Sequence, residues 1–215
     1  MKLASILVQG GLFVVIVAAA VVGVREAQKH VDATGQNAIT VVGSVATDEK
    51  VTLDEFSVNI FTGRGAISGL SVPNSGIGSS PTSFVVDKAE VKIVPWSLLW
   101  GRLHIRSIDI TNPAIDLETS ATSSNLAIIL AAAAAYAVTA DKSDDDKKLR
   151  VDSLTITGAK LTGKIYPLST KISLTLPDIK MSNMGSNGDG MTQADFVQAV
   201  LTEVVNQATT SALHP

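Results

Sequence analysis

Few side chains in this 215-residue chain have types and spacings that could do chemistry. The three histidines, His30, His104 and His214, are far apart in sequence. His104 falls between Leu103 and Ile105, so strand alternation places it on a polar face. There is no GxSxG elbow, no P-loop, no HExxH and no GxGxxG after a strand. The residues therefore predict no catalytic group, and we expect the protein not to be an enzyme.

Clusters of carboxylates are the remaining candidates for chemistry. Four aspartates of the loop 141–148 (DKSDDDKK) could supply oxygen ligands to a calcium ion. Three lysines are interleaved with them and the loop has no glycine, which favours a solvated loop. Residues 187–190 (NGDG) are interpreted in the same way, as a turn. Because the chain also has no cysteine, the sequence predicts no metal site and no cofactor.

Composition restricts the class of partner. The net charge is −3 and the pI is about 5.6, whereas a nucleic-acid partner normally requires a basic field. Hydrophobic residues make up 46% of the chain but aromatic residues only 4%. Aliphatic side chains therefore carry the burial, as expected when part of a chain lies in lipid.

The first 25 residues predict a transmembrane anchor. Leu3–Val24 contains no charge, and only Ser5 and Gln9 are clearly polar. A helix of this length, at about 1.5 Å per residue, spans a hydrocarbon layer of roughly 30 Å. A cleaved signal peptide is the alternative, because Lys2 precedes the run and residues 18–20 are small, but such apolar regions usually span only about 7–15 residues. The short N-terminal flank favours a single-pass topology with the body outside the cytoplasm, in the periplasm of a diderm bacterium.

Alternating strands dominate the rest of the chain. Residues 26–40 predict a juxtamembrane helix or linker, ended by Gly35, and residues 41–182 predict a β domain. Strands are expected at 41–45, 51–62, 66–72, 84–94, twice within 95–118, and at 149–157, 160–166 and 171–176. A change of alternation phase at Asp54–Glu55 indicates a bulge or sharp twist. The predicted fold is mainly β, a curved and mostly antiparallel sheet of about 7–9 strands.

Two helices are expected to accompany this sheet. An inserted alanine-rich helix, residues 125–139, is too short to span a bilayer comfortably, so it lies against the sheet or on a membrane surface. Residues 183–215 predict a linker and a C-terminal amphipathic helix, with Thr192 and Asp195 forming its cap. Because so few helices are available to cover the apolar face of the sheet, two alternatives are open. Either the sheet curls over this face, or the face stays accessible and binds something.

An ordered set of short motifs resembles the AsmA-like family of bacterial envelope proteins, of which this chain is similar to the compact, single-module members. The matching pieces are Gly65–Val72 (GAISGLSV) and the loop after it, Phe84–Val94, Ser97–Gly101 (SLLWG), the strand with Ile105, Ile108 and Ile110, Pro113–Glu118 (PAIDLE), and Ser124–Leu126 (SNL). The resemblance implies an inner-membrane-anchored periplasmic protein whose curved sheet has an apolar concave face. Longer relatives are implicated in phospholipid movement between membranes and in outer-membrane biogenesis.

The leading functional hypothesis is therefore non-enzymatic lipid binding or transfer. Acyl chains would rest in an aliphatic groove with ten candidate residues: Val91, Ile93, Leu103, Ile105, Ile108, Ile110, Ile115, Leu117, Ile172 and Leu174. Trp96 and Trp100 are candidates for the membrane interface, with the alternative that they cap the sheet core. The competing hypothesis is a structural or assembly role with an envelope protein or a second copy, through sheet edges and a C-terminal helix whose partner-facing candidates are Val197, Val200, Leu201 and Val204.

Overall fold

The structure of the protein is a computed structural model, which describes residues 34–59, 61–74, 76, 78–98, 102–129, 131–132, 135, 148–165, 170–192, 195–196, 199–200 and 203. The predicted anchor and most of the acidic loop lie outside these residues. Helix α1 spans Thr34–Thr47, and a short 3-10 helix, η1, spans Pro95–Leu98. The strands are β1 (Glu55–Asn59), β2 (Arg64–Pro73), β3 (Thr82–Ile93), β4 (Leu103–Glu118), β5 (Leu149–Thr157), β6 (Lys160–Ile165), β7 (Thr170–Thr175) and β8 (Ile179–Met184). Residues 125–129 are also helical.

These strands form one open, mixed sheet of eight strands, which confirms the mainly β prediction. The order is β1-β2-β3-β4-β5-β8, and β6 pairs with both β4 and β7. The 16-residue strand β4 is long enough to pair with β5 along its first half and with β6 along its second half. β5 and β6 therefore lie one after the other along the same side of β4. On their outer sides, β8 pairs with β5 and β7 pairs with β6.

The connection from β4 to β5 explains why a helix is inserted there. Five of the seven strand pairings are antiparallel, but β4 pairs in parallel with both β5 and β6. A parallel pair cannot be joined by a tight hairpin and requires a crossover segment, commonly a helix. The helical residues 125–129 begin that crossover. The sheet is therefore mixed rather than purely antiparallel.

A transverse crease divides the sheet into two halves. It is formed by Gly69 in β2, Asp87 in β3, Asn112 in β4 and Gly158 between β5 and β6, which the registers place side by side. Gly69, Asn112 and Gly158 all have positive φ. Such irregular positions bend a strand and change which face its following residues occupy.

The burial pattern records this change of face. In β3, Phe84 and Val86 are buried before the crease, and Ala89 and Val91 are buried after it. Alternation within each half is regular, but its phase shifts by one residue between them. Pro113, which cannot donate to a β ladder, is accommodated in β4 directly after the crease, where the pairing is already interrupted.

One hydrophobic core contains the apolar face of both halves of the sheet. It also includes side chains from helical residues: Ile39 of α1, Leu126 and Ile129, and Phe196 and Val200. All five are at most 2% exposed. Of the two locations predicted for the inserted helix, its first turn therefore adopts the one against the sheet.

Helix α1 corrects the sequence prediction for residues 34–47. Gly35 was expected to end a helix and residues 41–45 to form a strand, yet the helix continues to Thr47. The β-branched residues 41–42 suggested a strand, but packing overrides that propensity. Gly43 lets the helix approach closely, since a Cβ placed there would lie 3.2 Å from a methyl carbon of Val51.

Two strand predictions also needed correction. Residues after Pro177 were assigned no strand, but Ile179–Met184 forms β8, because pairing with β5 supplies partners that alternation alone could not reveal. The long strand predicted at 51–62 is shorter, with β1 starting at Glu55. That start coincides with the phase change predicted at Asp54–Glu55, which lies against the crease beside Gly69.

Candidate functional site

Three of the pieces that carry the family resemblance, the loop after β2, Pro113–Glu118 and Ser124–Leu126, come together around one carboxylate, that of Glu118. The loop after β2 supplies Asn74, Ser79 and Ser80, and the end of β4 supplies Glu118 itself. Partners 38–44 residues apart in sequence thus meet at this point. We refer to Asn74, Ser79, Ser80, Glu118 and Lys164 as the Glu118 cluster.

Both carboxylate oxygens of Glu118 accept hydrogen bonds from the loop. Oε1 accepts from the backbone N–H of Ser79 at 3.0 Å and its hydroxyl at 3.4 Å. Oε2 accepts from the N–H of Ser80 at 2.9 Å and from the side-chain amide of Asn74 at 2.7 Å. Glu118 is only 3% exposed. A buried charge requires such partners, because an unpaired carboxylate would be costly to remove from water.

Opposing effects act on the pKa of Glu118. Burial raises it, while the N–H groups of Ser79 and Ser80, the Asn74 amide and the charge of Lys164 lower it. The net result is a pKa below the ordinary value for glutamate. Lys164 lowers the pKa of Glu118 through its charge and not by a direct hydrogen bond, because its Nζ donates to the Ser79 hydroxyl at 2.9 Å. Glu118 is therefore a buried, ionised carboxylate at neutral pH.

A second residue, Asn125, attaches the crossover helix to this cluster. Its Oδ1 accepts from the backbone N–H groups of Glu118 at 3.0 Å and of Leu126 at 2.9 Å. Its Nδ2 donates to the Ser83 hydroxyl at 3.0 Å and to the Asp116 carbonyl at 2.8 Å. Asn125 is 0% exposed. One buried amide thus joins the start of β3, the end of β4 and the crossover.

Ser124, beside it, caps the helical turn. Its hydroxyl accepts from the N–H of Ala127 at 3.1 Å, which satisfies one of the unpaired donors at a helix start. The SNL motif of the resemblance therefore consists of a cap, a buried amide connector and the core residue Leu126.

A cleft of about 480 Å³ opens beside the Glu118 cluster. All of its lining residues except Gly163 have polar side chains: Ser79, Ser80, Asp116, Glu118, Thr162, Gly163, Lys164, Lys171 and Ser173. Asp116 is engaged there too, since its Oδ2 accepts from the Ser80 hydroxyl at 2.7 Å. Donors of the loop after β2 bind both oxygens of Glu118 and one oxygen of Asp116, so the arrangement holds this loop in place.

A second polar group lies in the first half of the sheet, on the side that faces solvent. Asp152 accepts from His104 Nε2 and from Arg150 Nε, each at 2.8 Å. Burial raises the pKa of Asp152, but the hydrogen bonds and charges of these two partners lower it overall. The three side chains are 28–35% exposed. His104 occupies the polar face that the sequence predicted, where it bridges two parallel strands.

Eight of the ten predicted groove residues lie on the apolar side of the sheet. These eight are at most 8% exposed and belong to the core: Val91, Ile93, Leu103, Ile105, Ile108, Ile110, Ile115 and Leu117. Leu174 is 53% exposed on β7, and the side chain of Ile172 lies outside the described part. A ligand would reach the eight core positions only if the elements that cover them moved.

The other predicted contact residues separate into two groups. Trp96 is 72% exposed, so it does not cap the core, and Trp100 lies outside the described residues. Val200 is fully buried in the core rather than available to a partner. Val197, Leu201 and Val204 are not among the residues described. Sequence reasoning missed Phe61, which is 88% exposed in the β1–β2 turn.

None of the helices among the described residues is long and apolar enough to cross a membrane. Leu3–Val24 lies outside those residues. Within the described part of the chain, no group of three or more His, Asp or Glu side chains is placed to hold a metal ion. Most of the acidic loop 141–148 also lies outside that part.

Comparison with models of protein families and with curated proteins found no match to this chain.

Proposed function

We propose that this chain is a non-enzymatic, membrane-anchored envelope protein that binds phospholipid acyl chains, or helps transfer them, between its aliphatic sheet face and the helices that cover it. The anchor would be Leu3–Val24 in a bacterial inner membrane, with the body in the periplasm. The resemblance to the AsmA-like family supports this proposal. The observation that supports it most directly is that helix α1 exposes apolar side chains.

Helix α1 has apolar residues at exposed as well as at buried positions. Ile39, Gly43 and Thr47 are buried, spaced four residues apart. Val41 and Val45, also four residues apart, are 60% and 62% exposed. A surface helix usually has polar residues at such outward positions. Two exposed valines one turn apart suit a helix that adjoins lipid.

Few described contacts hold α1 against the sheet. They include the burial of Ile39, about 1.5–3 kcal/mol, the packing of Gly43 against Val51, and hydrogen bonds of about 0.5–1.5 kcal/mol each. Those bonds join Gln36 to the carbonyls of Leu53 at 2.7 Å and Asp54 at 3.3 Å, and the Val51 N–H to Ser44 at 2.9 Å. The burial of Ile39 and the three bonds together amount to on the order of 3–7 kcal/mol. An acyl chain regains roughly 0.8 kcal/mol per buried CH₂, so about four to nine methylenes would offset these contributions.

A site-specific diazirine at Ile110 tests this proposal in the full chain expressed in its membrane. Ile110 is 2% exposed, so the probe samples the core. The proposal expects a phospholipid adduct detectable by mass spectrometry. The matched control is the same probe at the neighbouring residue Thr111, which faces solvent. Purely intramolecular products at Ile110, or equal lipid adducts at both positions, would overturn the proposal.

A structural or assembly role remains the second candidate, and the open sheet is the observation that favours it. β1, β7 and β8 each pair with a single neighbour among the described strands. Val58 on β1 and Leu174 on β7 are 38% and 53% exposed. Unpaired strand edges are templates for another strand. Photocrosslinking from Leu174 to a protein, with no lipid adduct at Ile110, would favour this role.

A further inference from the structure

Two exposed aromatic side chains, Phe61 and Trp96, project from one end of the sheet. They are 88% and 72% exposed, in a chain with only nine aromatic residues. The turn that carries Phe61 contacts the segment that carries Trp96. Ile93 N donates to the Gly63 carbonyl at 2.7 Å, and a Cβ on Gly63 would lie 3.1 Å from the Pro95 ring. We call this the aromatic end.

Hydrogen bonds hold both aromatic residues in defined turns. The side-chain oxygen of Asn59 accepts from the N–H groups of Phe61 at 3.1 Å and of Thr62 at 3.0 Å, which is an Asx-type turn. Next to Trp96, the Ser97 hydroxyl donates to the Val94 carbonyl at 2.7 Å and accepts from the His104 N–H at 2.9 Å. The conformations of these two turns, and not a chance rotamer, therefore place both rings in solvent.

Exposed cations surround the aromatic end. Arg64 and Lys92 face each other across β2 and β3, and Arg102 directly precedes β4. All three are exposed. Two acidic residues lie beside these cations. The pKa of Glu90 is lowered by Lys88 and, to a smaller extent, by the charges of Lys92 and Arg64. Asp189 follows Gly188, whose carbonyl accepts from Arg102 Nη1 at 3.1 Å. Aromatic rings beside cations are typical of a surface that meets anionic lipid headgroups.

The N-terminal end of helix α1 points in the direction of the aromatic end. Gln36 bonds to the Leu53 carbonyl and Ser44 to Val51, so α1 runs antiparallel to residues 51–54. Thr34 is therefore at the end of α1 that points the way β1 runs, toward Asn59. Only residues 25–33 separate the apolar run from α1. Even fully extended, these nine residues reach about 30 Å.

We infer that the aromatic end is a lipid-contacting surface, with Phe61 and Trp96 inserted at the bilayer interface and Arg64, Lys92 and Arg102 facing the headgroups. The inference rests on the anchored topology of the proposed function. It adds which end of the sheet faces the membrane. The apolar core between sheet and helices would then begin at the surface from which acyl chains come.

Tryptophan fluorescence of the full chain tests this inference in vesicles of phosphatidylglycerol and phosphatidylcholine with brominated acyl chains. Trp100→Phe leaves Trp96 as the only tryptophan. The matched control is Thr122→Trp in a Trp96→Phe, Trp100→Phe background. Thr122 is exposed in the loop that follows β4, at the end of that strand away from the aromatic end. Brominated lipid should remove roughly half of the Trp96 emission and leave the control little changed, because interfacial tryptophan lies within reach of the bromines.

Two results would overturn the inference, and they are distinguishable. If the chain does not float with vesicles after an alkaline wash, the anchored topology fails and the inference fails with it. If it floats but Trp96 is unquenched, or is quenched no more than the control, the aromatic end does not face the bilayer while the anchor stands. Phe61→Trp in the tryptophan-free background repeats the test at the other ring, with unfolding midpoints confirming that each variant folds. Lipid adducts at Ile110 report on acyl binding independently of both results.

Discussion

Gly78 lies directly against the carboxylate of Glu118, and a Cβ built on Gly78 would be 2.0 Å from Glu118 Oε2. Its φ of +91° is a backbone conformation that other residues rarely adopt. The loop after β2 can therefore wrap the carboxylate only because a glycine occupies this position. The relationship explains how two adjacent backbone N–H groups, those of Ser79 and Ser80, reach a buried anion.

Gly78→Ala should destabilise the protein by about 2–4 kcal/mol, since it adds backbone strain and a clash with Glu118. Gly76→Ala is the matched control, because Gly76 has a φ of +77° in the same loop but nothing within 4 Å of the added Cβ. The control should cost only the strain, about 1 kcal/mol. Urea unfolding measures both, and equal losses would contradict the role of Gly78 in packing against Glu118.

Protonation of Glu118 should weaken the fold in acid. Its pKa is lowered in the folded protein, and in the unfolded chain it is the ordinary value of about 4.3. The stabilisation is therefore fully present above the unfolded pKa and is lost as pH falls through the lowered folded pKa. Glu118→Gln should cost roughly 1–3 kcal/mol at pH 7, because an amide donor would then face the donors of the loop. Its deficit relative to wild type should shrink in urea titrations at progressively lower pH. A deficit that is constant with pH would contradict an ionised Glu118.

Asn125→Asp should be more costly than its size suggests. The substitution replaces the Nδ2 that donates to the Asp116 carbonyl with a carboxylate oxygen, at a fully buried position. We expect a loss of roughly 2–4 kcal/mol at pH 7 that decreases in acid as the new carboxyl is neutralised. Ser124→Ala, which removes only the neighbouring helix cap, should cost about 1 kcal/mol at any pH. Similar losses in the two variants would show that Asn125 serves only to begin the helix.

Alternation in the sequence predicted the faces within each half of the sheet. Ala89, Val91 and Ile93 are buried and Lys88 and Lys92 exposed, as expected. The crease could not be predicted, because the positive φ of Asn112 depends on its neighbours in other strands. A strand such as β8 was missed for the same reason: its short, polar sequence forms a strand only because β5 offers a partner.

In the site, too, the sequence predicted residues that are close together in the chain but not the partners that come from distant segments. Motif order drew attention to Pro113–Glu118 and to Ser124–Leu126, which are near each other in sequence. The loop donors to Glu118 could not be identified, because they lie 38–44 residues away and two of them are backbone N–H groups, which every residue type possesses. Phe61 was likewise assigned to a strand, and its exposure follows from the Asn59 turn.

A disulfide between residues 43 and 51 should reveal whether acyl chains pass beneath helix α1. A Cβ on Gly43 would lie 3.4 Å from that of Val51, close to the roughly 3.5–4.5 Å of disulfides, and the chain has no other cysteine. Oxidised Gly43→Cys, Val51→Cys protein should gain about 2.5 kcal/mol of stability from loop closure. It should also lose most of the lipid adduct formed by a diazirine at Ile110, and a reductant should restore that adduct in the same sample. The reduced double variant and single Gly43→Cys serve as controls for the substitutions themselves. If the adduct persists at full yield in the oxidised protein, lipid reaches Ile110 without movement of α1, and the crossover helix or the C-terminal helical residues become the elements that must open.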